Sequence, residues 1–214
     1  MESKKPVASA APSSIERLRS VQALEAELYV HDAPDGQPRW LLGNPGPFDG
    51  VLTLEATGNR EGDWVEVVVP VQPNGTTGWV ELGAVRPISV NSVIRIDLSD
   101  RWAQLYVDDS LVAEAPVAVG AAETPTPALS AMVDHVQRNS DPSGLYGSWL
   151  FGTNQHSEVL SEFDGGRPAI ALHGTNAPEL IGQEVSNGCI RFTNDDIELF
   201  APHIELGTRV EMRP

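Results

Sequence analysis

Cysteine is almost missing from this 214-residue chain, and Cys189 is the only one. One thiol cannot form an internal disulfide, which excludes a disulfide-stapled fold. Basic residues are also scarce: 14 Lys and Arg stand against 30 Asp and Glu, for a net charge of -16 and a sequence pI of about 4.5. Such a field repels phosphate polymers and anionic lipid, so neither nucleic acid nor a membrane surface is an expected partner. Acidity of this kind is equally ordinary for soluble exported proteins. No apolar run reaches the 18 or so residues of a transmembrane helix. Met1 to Ser14 carries Lys4 and Lys5 but no apolar stretch, so it does not read as a signal peptide. Its Ala8–Ser14 portion reads as a linker, and Ser14 opens a predicted short helix running towards Glu27.

What the chain does have is 41% hydrophobic residues, 19 glycines and 17 prolines, the mixture of short strands and tight turns. Asp63 to Pro70 alternates as a strand, and Pro73-Asn74-Gly75 is a turn into a second strand through Trp79 and Val80. The run GDWVEVVVPVQPNGTTGWV is similar to bacterial SH3-like barrels, a resemblance covering about residues 25 to 88. In such a unit Trp64 and Trp79 are expected to pack rather than to form a ligand platform. Pro87 to Asn91 reads as a junction. Beyond it, strands are expected at 94–98, 102–107 and 111–113, with a turn at Asp108-Asp109-Ser110. Asp195 to Phe200 reads as a short helix capped by Asn194 or Asp195, and Gly207 to Met212 as a closing strand.

Cys189 lies in Ser186-Asn187-Gly188-Cys189-Ile190-Arg191, and His173 lies 16 residues upstream in His173-Gly174-Thr175. A lone thiol with a histidine elsewhere in the fold is a candidate nucleophile and base. Read singly, each residue is more often structural, and it is the pairing that promotes them. The stretch HGTNAPELIGQEVSNGCIR closely resembles the active-site signature of the L,D-transpeptidases, an HGT loop followed by S-x-G-C-[IV]-R. The resemblance covers about residues 92 to 213. It implies a mainly β fold: a small SH3-like barrel at 21–90, after a linker or short helix at 1–20, then a transpeptidase-type β-sandwich with one or two short helices.

The resemblance also implies the chemistry. Cys189 attacks the carbonyl of the third residue of a peptidoglycan tetrapeptide stem, D-alanine leaves, and an amine of a second stem resolves the thioester. His173 is the implied base, oriented by the main-chain carbonyl of Gly174. Gly188 allows a sharp turn, and amides around Asn187, Gly188 and Cys189 are candidate oxyanion donors. Ser186 is expected to brace this loop. Arg191 suits a substrate carboxylate, or equally a structural pair with an Asp. Tyr146, in Pro142-Ser143-Gly144-Leu145-Tyr146-Gly147, is a candidate contact to the donor peptide, with core packing as the alternative.

Two departures stand out. Asn187 occupies a position where the family often has histidine, and Pro127-Ala128-Leu129 replaces a common Pro-Thr-Gly. His31, His135, His156 and His203 show no zinc spacing, so neither a metal nor another cofactor is expected. The expected setting is the cell wall or periplasm, with peptidoglycan stem peptides as partners, a monomeric chain, and a signal or anchor missing from this segment. A carboxypeptidase using the same thioester and a non-catalytic wall-binding module are the rival readings.

Overall fold

Period-two alternation dominates the chain, and strands dominate the computed structural model, which describes residues 19–46, 49–163 and 165–214. Seven strands come first: β1 (Ser20–Ala23), β2 (Glu27–His31), β3 (Pro38–Gly43), β4 (Thr53–Glu61), β5 (Trp64–Val68), β6 (Thr77–Glu81) and β7 (Val85–Ile88). They form one sheet in the order β3-β2-β6-β5-β4-β1-β7. Every pairing in it is antiparallel. Val21, Leu28, Val30, Leu54, Val65, Val67 and Val80 fill its core. Trp64 is buried, its indole donating to Asp35 at 3.3 Å and its ring edge-on to His31 at 4.7 Å. The helix expected from Ser14 towards Glu27 is not what the described residues form. Residues 14–18 lie outside them, as does the Ala8–Ser14 linker, and 20–23 are strand. Pairing on both sides, with β4 and β7, overrides a weak helical signal there.

The second half holds β8 (Ser92–Asp97), β9 (Trp102–Val107), β10 (Ser110–Pro116), β11 (Val119–Gly120), β12 (Ser130–Arg138), β13 (Trp149–His156), β14 (Ala169–His173), β15 (Glu184–Ser186), β16 (Ile190–Arg191), α1 (Asn194–Phe200) and β17 (Arg209–Arg213). Eight of these strands make a mixed sheet in the order β10-β9-β8-β17-β12-β13-β14-β16, while β11 pairs only with β15. Asp108 and Asp109 take φ values of 48° and 62°, the left-handed pair that a two-residue hairpin needs. The closing strand β17 enters between β8 and β12, so the chain's end ties the first hairpins to the site-bearing strands. A separate core of Ile94, Leu105, Phe151, Leu172, Ile190, Phe192, Phe200 and Met212 lies beneath. The helix begins one residue earlier than expected: Thr193 is the N-cap, its hydroxyl accepting from the Asp196 amide at 3.0 Å.

Candidate active site

Two neighbouring strands set the site. β14 and β16 run parallel, pairing Leu172 with Ile190 and His173 with Arg191. Leu172 and Ile190 are wholly buried in the core. Alternation along each strand therefore turns His173 and Arg191 to the opposite face; Ala171 lies one pleat behind His173, and Cys189, just before β16, sits against the Ala169 and Ala171 backbone. That is how a histidine and a cysteine 16 residues apart come to share one surface.

His173 is buried, 2% exposed. Its Nδ1 lies 2.5 Å from the Gly174 carbonyl. A carbonyl only accepts, so Nδ1 carries the hydrogen and the neutral ring presents its lone pair at Nε2. Burial pushes the imidazole pKa down to about 4; the Gly174 bond opposes this and the Arg191 charge adds to it. The ring is thus neutral at pH 7 and free to take a proton. Tyr146 stands edge-on to it, ring centroids 5.1 Å apart. Beyond Tyr146 opens a groove of about 360 Å3 lined by Gln137, Asn139, Asp141, Leu145 and Tyr146.

Cys189 is partly exposed, its sulfur 3.9 Å from the Ala169 carbonyl at the edge of β14. Burial of the sulfur raises its pKa, against the pull of the Ala171 amide and the Arg191 charge. The resting pair is accordingly thiol and neutral imidazole rather than an ion pair. Arg191 forms no ion pair among the described residues, and its Nε is buried without a partner.

The loop that carries Cys189 is fixed from below. Ser186 Oγ donates to the Cys189 carbonyl at 2.6 Å and accepts from the Gly188 amide at 3.0 Å. The Gly188 N–H is therefore committed, and it drops out of the amides read as oxyanion donors. Gly188 itself has φ +112°, and a Cβ there would meet Ile170 Cδ1 at 2.9 Å. Asn187 is exposed at the turn.

Three residues to which the sequence assigns no role at the site complete the frame. Thr126 Oγ1 accepts from the Gly120 amide at 2.9 Å and donates to the Gly188 carbonyl at 2.8 Å. Thr124 Oγ1 donates to the Ser186 carbonyl at 2.9 Å. The Thr124-Pro125-Thr126-Pro127 segment thus seats the loop, a role its sequence signals only by two hydroxyls beside rigid prolines. Asn194 accepts from the Ser148 amide at 2.9 Å and donates to the Pro142 carbonyl at 2.9 Å, holding the Tyr146 loop against Gly174. A Cβ on Gly174 would fall 2.3 Å from the Asn194 oxygen. In the sequence Asn194 reads only as a possible helix cap. A larger groove, about 470 Å3, is lined by Arg95, Trp102, Gln104, Glu211 and Arg213 on β8, β9 and β17, and takes no part in this constellation.

Comparison with known proteins agrees with the geometry. A protein of Bacillus licheniformis that bears the name putative L,D-transpeptidase YkuD is 35% identical over 133 residues, 62% of this chain and 72% of that protein. Its namesake in Bacillus subtilis is 32% identical over 129 residues, 60% of this chain and 70% of that one. An L,D-transpeptidase crystal structure from Mycobacterium tuberculosis aligns over 93% of this chain and 82% of its own, with a TM-score of 0.50 and 17% identity, a likeness of fold. The family model for the YkuD L,D-transpeptidase catalytic domain matches residues 91–212, and the chain belongs to that family.

Proposed function

We propose that the chain is a peptidoglycan L,D-transpeptidase working through a thioester on Cys189, with His173 as base. The observation that carries this reading is the Nδ1 contact to the Gly174 carbonyl, which leaves a buried, neutral imidazole with its Nε2 lone pair on the face shared with Cys189. The thiol proton passes to His173 as sulfur bonds to the stem-peptide carbonyl carbon. Collapse of the tetrahedral intermediate breaks the C–N bond, and the imidazolium proton goes to the departing D-alanine amine. An acceptor amine then attacks the thioester. Its proton returns through His173 to the sulfur as the C–S bond breaks, and an amide cross-link remains.

The remaining assignments follow from local chemistry. Arg191, which makes no ion pair among the described residues and whose charge acts on both groups, suits a substrate carboxylate. Amides of Asn187 and Cys189 suit the oxyanion, the Gly188 amide being occupied by Ser186. Tyr146 forms a wall between His173 and the adjoining groove, which suits the donor peptide. Residues 21–90 are read as an SH3-like domain and 92–213 as the catalytic domain. Their separate cores support that division. Cell wall or periplasm is the setting such a substrate requires. Incubation with tetrapeptide stems tests the reading: cross-linked dimers and free D-alanine are expected, and loss of D-alanine without dimers indicates a carboxypeptidase.

A further inference from the structure

The loop between β5 and β6 reaches across to the catalytic sheet. Asn74 donates from Nδ2 to the His156 carbonyl at 2.8 Å and accepts at Oδ1 from the His156 amide at 2.9 Å. One side-chain amide thereby satisfies both main-chain groups of a residue that is 2% exposed, as the next strand of an antiparallel ladder would. The need for it lies in the ladder itself. Register slips between β13 and β14 from Gly152↔Ala171 to His156↔Ala169, and the Cα partners of β12 along β13 run out at Thr153. Gln72 Nε2 adds a bond to the Ser157 carbonyl at 3.0 Å, and Arg167 donates to the Pro70 carbonyl.

All three ties grip the neck that the Ser157 amide closes on the Pro168 carbonyl at 2.8 Å. The residue on the other side of that neck is Ala169, partner of His156 and the residue whose carbonyl faces the Cys189 sulfur at 3.9 Å. We infer that Asn74, seconded by Gln72, is a positioning residue for the catalytic thiol: the amino-terminal sheet fixes the wall against which Cys189 is set. The inference rests on Cys189 being the nucleophile, and its test needs no peptidoglycan.

The measurement is the second-order rate of Cys189 alkylation by iodoacetamide, read with amide hydrogen exchange over residues 156–169. Asn74→Ala and Gln72→Ala are compared with Thr57→Ala. Thr57 bonds Glu66 within the amino-terminal sheet and, among the described residues, makes no bond to the second one. Loosening the wall opens the partly exposed thiol further to solvent and reagent, so Asn74→Ala is expected to alkylate at least about threefold faster at pH 7, with lost protection over 156–169. Gln72→Ala, a change at an exposed side chain, is expected to act in the same direction and less. Thr57→Ala should match the wild type in both readouts even where its melting temperature falls. Unchanged alkylation and protection in both Asn74→Ala and Gln72→Ala overturns the inference. So does an equal change in Thr57→Ala, which would make the effect one of general stability.

Discussion

His173 and Arg191 are direct partners across the parallel β14–β16 pair, so a permanent cation stands beside the imidazole proposed as the base. Burial, and to a smaller degree that cation, disfavour the imidazolium. The account therefore assigns Arg191 two effects: keeping the base deprotonated and offering a charge to substrate.

These two effects are separable. Arg191→Gln should raise the His173 pKa only modestly above about 4, since burial is the larger cause and stays in place, while weakening substrate capture. Histidine titration followed by NMR reads the first effect and KM the second. A pKa unmoved in Arg191→Gln would show that the guanidinium does not act on the ring.

The acid limb of catalysis is displaced for the same reason. Acylation of Cys189 should stay level as pH falls from 7 through 6, and decline only as pH approaches about 4, where His173 takes a proton. A half-maximal rate near 6.5 would indicate an exposed base. His173→Ala should remove the plateau and leave a rate that climbs with pH as the thiol ionises.

Stability should follow the same group with a definite sign. The folded pKa of His173 is depressed, so between about 6.5 and 4 the unfolded chain binds the proton and the folded chain does not. The melting temperature is expected to drop across that window, with His173→Gln showing a shallower slope. Equal slopes in thermal scans from pH 7 to 4 would contradict the burial argument.

Thr126→Val removes a buried hydroxyl that joins Gly120 to Gly188. The orphaned Gly120 amide and Gly188 carbonyl should cost about 1–3 kcal/mol. Because the Gly188 carbonyl belongs to the nucleophile loop, acylation should slow by roughly tenfold, a barrier increase of about 1.4 kcal/mol. Denaturant unfolding and stopped-flow acylation measure the two, and an effect on stability alone would detach Thr126 from the site.

How far the site was legible in the sequence depends on distance along the chain. Cys189, His173 and Ser186 sit in two short motifs, and the β14–β16 register brings those motifs together. Thr124 and Thr126 are 62 residues from the carbonyls they serve, and Asn194 is 46 from Ser148, so no local pattern announces those bonds. The Gly188 amide read as an oxyanion donor because sequence shows that an amide exists, not that Ser186 already holds it. The strands from β8 to β10 were plain from alternation and turn residues. β1 was missed because the pairing that makes it a strand comes from β4 and β7, far downstream. The tie from Asn74 to His156 spans 82 residues, and in the sequence Asn74 is simply half of an Asn-Gly turn.

The most direct test of the central claim is intact-protein mass spectrometry after exposure to a carbapenem, whose ring carbonyl imitates the scissile amide, followed by peptide mapping. The account predicts one covalent adduct per chain, on Cys189, formed at pH 7 and absent from Cys189→Ala. An unmodified wild-type mass, or an adduct that persists in Cys189→Ala, would contradict it.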